Sequence, residues 1–310
     1  MPNLELNLAA IEKEYTARKA ELHSGLVEKV RIAFEENIGE ELDPRVEEVL
    51  RAVPRHRFLR LEGNIPWILE EAYDNEVVVL DPFETRDEAI EILKRDYGID
   101  WNEVVEDEDV SILLDLFYKP NLSTASQPSI VAQMTQLVLP GDFSLKDNWK
   151  ALEVGSGGGY QAAMLSAVGF SQVYGVEIKD YLVEHAKLAL RDYQGIEVIR
   201  GDGSKGLPDQ APFDAIVVTA GVERDGVVPT LLSQLNQGGV LVVPEKMPDQ
   251  LLSRLNLEKQ EREIGGHKFT YVDEPLVLTK YKLTMSDNGE PRIEGGFQSA
   301  VSFVRLRSSV

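Results

Sequence analysis

Apolar residues at Leu4, Leu8, Ile11, Tyr15, Leu22, Leu26, Val30 and Phe34 fall at intervals of three, four or seven. That spacing predicts a helix from residue 4 to about 36, packed on the rest of the molecule or on a second copy of it. A second helix is expected from Pro44 to Val53, with Asp43 as N-cap and Pro44 at the first helical position. Pro54-Arg-His-Arg-Phe58 then breaks the pattern. From Leu80 to Tyr118 acids dominate, among them Asp87, Glu88, Glu91, Asp96, Glu106, Asp107, Glu108 and Asp109. This stretch reads as a surface excursion with two short helices, around Glu88–Arg95 and Val110–Phe117.

From Trp149 the chain alternates between strand and helix. Strands are expected at Lys150–Val154, Gln172–Ile178, Ile196–Arg200, Phe213–Thr219 and Gly239–Pro244. Between them, Tyr160–Val168, Tyr181–Tyr193 and Val227–Leu235 carry helical periodicity. Near-continuous apolar runs such as Ala215-Ile-Val-Val218 suit strands inside a parallel sheet covered on both faces. Two later runs, Pro275–Leu283 and Gln298–Leu306, flank Ser286-Asp-Asn-Gly289 and predict an antiparallel hairpin. The fold class is therefore α/β and Rossmann-like. It divides into a helical section with an acidic insertion (1–120), a nucleotide-cofactor core (121–245) and C-terminal strands completing the sheet (246–310).

Composition adds exclusions. A formal charge of −21 over 310 residues leaves no surplus of Lys and Arg for phosphate backbones or anionic membranes. No nucleic-acid or membrane partner is expected. Cysteine is absent, which removes disulfides, thiolate catalysis and thiolate-ligated metals. No metal is expected. The first residues lack a basic segment followed by an apolar one, so a cytoplasmic location is expected.

The candidate chemistry lies at Ala151-Leu-Glu-Val-Gly-Ser-Gly-Gly-Gly-Tyr160, a strand running into a glycine turn and then a helix. Such a turn places a nucleotide-like cofactor at the carboxyl end of a strand. A dinucleotide site wants its glycines as G-x-G-x-x-G, and Tyr160 stands where the last would be. S-adenosylmethionine has no pyrophosphate and does not need that spacing. Glu153 precedes the turn, and Glu177 ends the next strand, where an acid holds a ribose diol. Asp202 follows the third strand, where it can accept from an adenine amine. Taken singly, glycines make turns and acids cap helices. Three such features in register at successive strand ends point to a nucleoside.

The chain resembles the protein-L-isoaspartate O-methyltransferase family. The carrying segments are Val53-Pro-Arg-His-Arg-Phe58, Glu71-Ala-Tyr-Asp74, Ser123-Thr-Ala-Ser-Gln-Pro-Ser-Ile-Val-Ala132 and Leu152-Glu-Val-Gly-Ser-Gly-Gly-Gly-Tyr-Gln-Ala162. They continue through Gly201-Asp-Gly-Ser-Lys-Gly-Leu-Pro208, Ala211–Ala220 and Gly238-Gly-Val-Leu-Val-Val-Pro244. The resemblance implies a class I methyltransferase: a mostly parallel seven-stranded sheet with a reversed C-terminal strand and a helical N-terminal extension. It implies S-adenosylmethionine as cofactor and Ser126 as the active-site serine. Thr124, Glu153, Gly155, Ser156, Gly157, Glu177, Ile178, Asp202 and Gly203 would line the cofactor. His56 is expected to be structural, because an ionised carboxylate acceptor needs no base. The stretch after Val77-Val-Val-Leu80 departs from the family pattern.

Three functions follow from these features. The first is repair: methylation of the α-carboxylate of L-isoaspartyl residues, whose ester closes to a succinimide that partly reopens to aspartate. The second keeps the chemistry but serves one client peptide, methylating an aspartate side chain to install aspartimide or isoaspartate. The third is a non-catalytic adaptor that binds the cofactor and uses its acidic face for protein contacts. The partner in the first two is a peptide or protein carrying an aspartyl or isoaspartyl carboxylate. Oligomeric state is not fixed by the sequence.

Overall fold

A computed structural model describes residues 2–59, 65–80, 123–140, 148–222, 224–246, 260–264, 267–271, 276–286, 288 and 290–301. The expected acidic excursion, with its two helices, lies outside the described residues, as does the run from Ser302 to Leu306.

The chain opens with α1 (Pro2–Asn37) and α2 (Pro44–Ala52). Asp43 caps α2 as expected, its carboxylate accepting the Arg45 amide at 2.8 Å. A 3₁₀ turn (Arg55–Phe58) and α3 (Ile65–Ala72) follow. Two-residue strands β1 (Val78–Val79) and β2 (Thr124–Ala125) pair antiparallel across the acidic stretch. Helix α4 (Pro128–Val138) comes next. Pro128 at the first helical position starts it.

Strand β3 (Lys150–Val154) leads to α5 (Tyr160–Ala167), β4 (Gln172–Glu177), α6 (Asp180–Ala189) and β5 (Ile196–Arg200). Then come β6 (Phe213–Val218), α7 (Arg224–Leu232) and β7 (Leu235–Lys246). A separate ribbon joins β8 (Gln260–Ile264) to β9 (His267–Tyr271), and β10 (Leu276–Met285) pairs with β11 (Pro291–Val301). The main sheet has seven strands in the order β11-β10-β7-β6-β3-β4-β5. Strand β10 is antiparallel to both neighbours, and the pairs from β7 to β5 are all parallel. Two expected boundaries move. β7 begins at Leu235 rather than Gly239, and β11 begins at Pro291 rather than Gln298. In both cases polar or glycine residues are drawn into the strand by hydrogen bonding to a neighbour, which periodicity does not register.

Alternate residues on each strand face opposite layers. Ala151, Ala215, Val217, Val240 and Val242 join one buried cluster with α1, α2, α4, α5 and α6. Leu152, Val154, Ile216, Val218, Leu241 and Val243 join the other, with Val228 and Leu231 of α7. Helices therefore change faces between β3 and β6, which makes the carboxyl ends of these strands the topological switch point where open α/β sheets bind ligands. On α1 the inward stripe is Tyr15, Leu22, Leu26, Val27, Val30 and Phe34, so the N-terminal helix belongs to the first cluster. Among the described residues no helix is long and apolar enough to cross a membrane.

Leu26 is fully buried and Ile32 on the same helix is 45% exposed. Leu26→Ala should cost about 2–5 kcal/mol of stability through lost burial and an unfilled cavity. Ile32→Ala should stay within about 0.5 kcal/mol. Urea denaturation of the two variants checks the difference; equal midpoints would mean that α1 does not dock.

Candidate active site

Strands β3, β4 and β5 end side by side, and the loop after each contributes to one site. The turn after β3 needs its glycines. Gly155 and Gly157 have φ of 86° and 51°, values that L side chains rarely adopt. The amides of Gly155 and Ser156 both donate to the Val176 carbonyl, at 2.8 and 3.1 Å, which folds the turn over β4. The Ser156 side chain lies across Gly175, where a Cβ would collide with it.

Glu177 ties the three loops together. One carboxylate oxygen accepts the Gly157 amide at 2.8 Å. The other accepts the Ile178 and Lys179 amides at 2.8 and 3.0 Å. Its backbone carbonyl accepts the Gly201 amide at 2.9 Å, fixing the loop after β5. Each carboxylate oxygen has lone-pair capacity for further donors. In that third loop, Asp202 Oδ1 accepts the Ser204 amide at 3.0 Å and its hydroxyl at 2.6 Å, with Gly203 buried beside it. Gly155, Ser156, Gly157, Glu177, Ile178, Asp202 and Gly203 are thus gathered at one edge of the sheet.

Glu153 sits differently from its neighbours. It alternates with Leu152 and Val154, so it faces the first cluster, and it is 1% exposed. Burial pushes its carboxyl up to about 8, with the Glu177 charge adding to the rise. At neutral pH it is therefore protonated. Its Oε2 has no protein hydrogen-bond partner. Among the nine residues expected to line the cofactor, Glu153 is the one buried behind the turn.

The other half of the site comes from the N-terminal section. The Leu80 amide donates to the Ser123 carbonyl at 2.8 Å, extending the β1–β2 pairing. This ribbon lies directly on the glycine turn. A Cβ at Gly157 would meet Leu80 Cδ1 at 3.2 Å and the Thr124 carbonyl oxygen at 4.0 Å. One residue later, Gly158 admits the Phe58 carbonyl so closely that any Cβ there would overlap it. Ser126 follows β2 and is half-buried. Asn75 holds the chain just after it: its carbonyl accepts from Gln127 Nε2 at 2.7 Å and its Oδ1 accepts the Ser129 amide at 2.8 Å.

Arg55, Phe58, Asn75 and Leu80 were not among the expected site residues. The first two lie in the Val53–Phe58 segment that carries the resemblance, but their contacts are made across the fold. His56 turns away from the glycine turn. Its Nδ1 lies 3.0 Å from the Tyr73 hydroxyl, and its Nε2 lies 3.3 Å from Glu12 of α1. Burial lowers its pKa, with Glu12 opposing. The expected structural role fits this position.

Comparison with known sequences points to one family. The family described as protein-L-isoaspartate(D-aspartate) O-methyltransferase matches residues 101–273. Protein-L-isoaspartate O-methyltransferase 2 of Syntrophobacter fumaroxidans is 33% identical over 257 residues, covering 82% of this chain and 83% of that protein. Protein-L-isoaspartate O-methyltransferase of Opitutus terrae is 46% identical over 123 residues, but the match spans only 49% of its length and 39% of this chain. The Ruegeria pomeroyi relative is 43% identical, and 62% of its length is matched. A solved structure described as a protein-L-isoaspartate O-methyltransferase superimposes with a TM-score of 0.56 at 22% identity. It covers 92% of this chain and 66% of that one, and it speaks to the fold.

The buried carboxyl gives a pH test. Glu153 rises from an ordinary value of 4.5 to about 8, so between those values the folded state holds a proton the unfolded state has lost. Stability from this group therefore falls as pH rises through that window. Glu153→Gln removes the titration. Its melting temperature relative to the parent, without cofactor, should be level near pH 5 and pull ahead by pH 9. A difference independent of pH would contradict a raised Glu153.

Proposed function

The chain belongs to the protein-L-isoaspartate(D-aspartate) O-methyltransferase family, and from that premise we propose that it methylates the α-carboxylate of L-isoaspartyl residues in peptides or proteins, with S-adenosylmethionine as donor. The observation that carries the reading is the seat of the β1–β2 ribbon on Gly157, which sets Leu80 and Thr124, two residues before Ser126, against the glycine turn.

The residues present suit that cofactor. A Cβ at Gly155 would press on Thr219 Oγ1 at 3.2 Å, so the turn closes against the end of β6 only because the side chain is missing. Glu177 would receive the ribose hydroxyls while still holding the Gly157 amide. Ile178 would pack against the base, with Asp202 and Gly203 at its edge. Gly155, Ser156, Gly157 and Thr124 would border the rest, and Glu153 would support the turn from behind.

When bound, S-adenosylmethionine would supply an electrophilic methyl group for transfer to an acceptor carboxylate oxygen, the carbon–sulfur electron pair remaining on sulfur. The acceptor carboxylate is already ionised at neutral pH, and no proton has to be removed. The protein's task is alignment and exclusion of water. Ser126 would donate its hydroxyl to one acceptor oxygen and so orient the other. Both His56 nitrogens are engaged with Tyr73 and Glu12, which is in keeping with chemistry that uses no general base.

A hydrogen bond to a charged group contributes about 1.5–3 kcal/mol. Ser126→Ala should therefore lower kcat/KM roughly 10- to 100-fold and leave affinity for S-adenosylhomocysteine within threefold. The decisive assay offers one peptide in aspartyl and isoaspartyl forms with tritiated donor, and locates the label by mass spectrometry. Labelling of the isoaspartyl form alone is expected; labelling of the aspartyl form alone would overturn the assignment.

A further inference from the structure

Arg55 is the largest fully buried side chain in the molecule's described residues, and its surroundings are unusual for a guanidinium. It is 0% exposed, and its hydrogen-bond acceptors are backbone carbonyls. Nη1 donates to Ala72 at 2.9 Å and Asp74 at 3.2 Å. Nη2 donates to Glu76 at 2.8 Å and to Ser126 at 3.4 Å. Three of these carbonyls lie just before β1, and the fourth belongs to the residue read above as orienting the acceptor. Burying a guanidinium is costly unless its donors are matched; four carbonyls meet both Nη groups of Arg55, and Nε alone has no protein partner.

The same 3₁₀ turn touches the cofactor side. Three residues on, the Phe58 carbonyl occupies the space beside Gly158 that any side chain would need. The Phe58 ring lies 5.6 Å from that of Tyr160, the first residue of α5, and the Arg55 guanidinium lies 6.0 Å from the same ring. A four-residue turn thus contacts the glycine loop at one end and the backbone of Ser126 at the other.

We infer that Arg55 is a positioning residue: through the Ser126 carbonyl and the 72–76 segment, it sets the acceptor-side loop relative to the cofactor turn that Phe58 abuts. The role rests on the function proposed above for its meaning, though not for its geometry. Lysine is no substitute, because a single ammonium cannot span a fork of two nitrogens serving four acceptors. A second consequence is communication. Ligand that steadies the glycine turn should also steady residues 123–129, because the turn formed by Arg55–Phe58 is packed against both.

The test compares the parent with Arg55→Lys, and with Arg55→Gln if the lysine variant does not fold. Amide hydrogen exchange of residues 123–129 is measured with and without S-adenosylhomocysteine, alongside calorimetric affinity for that nucleoside and kinetics on an isoaspartyl peptide. In the parent, the nucleoside should slow exchange in 123–129. In the variant, basal exchange there should rise at least tenfold and the slowing should vanish. Nucleoside affinity should stay within threefold, and kcat should fall at least 30-fold. Exchange and kcat at parental levels would overturn the inference. So would a fall in nucleoside affinity matching the fall in kcat, because Arg55 would then serve general stability. If the parent methylates no isoaspartyl peptide, the proposed function fails by itself, and the exchange comparison still decides the role of Arg55.

Discussion

The hydrogen bond from the Gly157 amide to the Glu177 carboxylate is the contact on which the site's other features depend. It joins the loop after β3 to the end of β4, and the Glu177 backbone carries the link on to the loop after β5. It restrains the left-handed Gly157, as the bonds to the Val176 carbonyl restrain Gly155 and Ser156. A carboxylate accepting backbone amides is a strong restraint, since charge-assisted hydrogen bonds outweigh neutral ones. Under the proposed function the same group receives the ribose hydroxyls, so the residue that shapes the turn would also read its ligand.

A rigid turn at the sheet's edge then acts as a platform. The missing side chains at Gly157 and Gly158 let two pieces of the N-terminal section come within contact distance: the Leu80–Thr124 ribbon and the Phe58 carbonyl. Glycine thus serves two purposes, positive φ at one position and close approach at the next. Behind the turn, the protonated Glu153 adds polarity without charge at neutral pH, which suits a position sealed from water. In front of it, Arg55 holds the loop bearing Ser126 by its backbone, leaving the serine hydroxyl out of that bond.

The helical section is therefore part of the site and shares the sheet's first core cluster. Its inward face is apolar from Tyr15 to Phe34, and a polar set fastens it to the 3₁₀ turn. Glu12 receives Arg57 at 2.9 Å and lies 3.3 Å from His56, while His23 Nδ1 lies 2.8 Å from the Leu50 carbonyl of α2. The Glu12 side chain is 40% exposed, so this network specifies how α1 sits more than it stabilises the fold. The burial of Leu26, Val27, Val30 and Phe34 supplies the stabilising part.

The sequence by itself determined the layer order and the cofactor edge. The central strands are continuous apolar runs that only a two-sided parallel sheet buries, and the glycines and acids at their ends are local signals of period and turn. The resemblance carried by Ser123–Ala132 likewise pointed to Ser126. Tertiary structure alone decided what the segments before the sheet do to that edge. Arg55 reads in the sequence as one more charge beside a proline, and Asn75 as a polar loop residue. Their acceptors and donors lie 17 to 71 residues away, so no window along the chain contains both partners. The burial of Glu153 was hidden for the same reason. Which side of a strand an acid faces follows from period two, but whether that side is dry depends on helices packed from elsewhere in the chain.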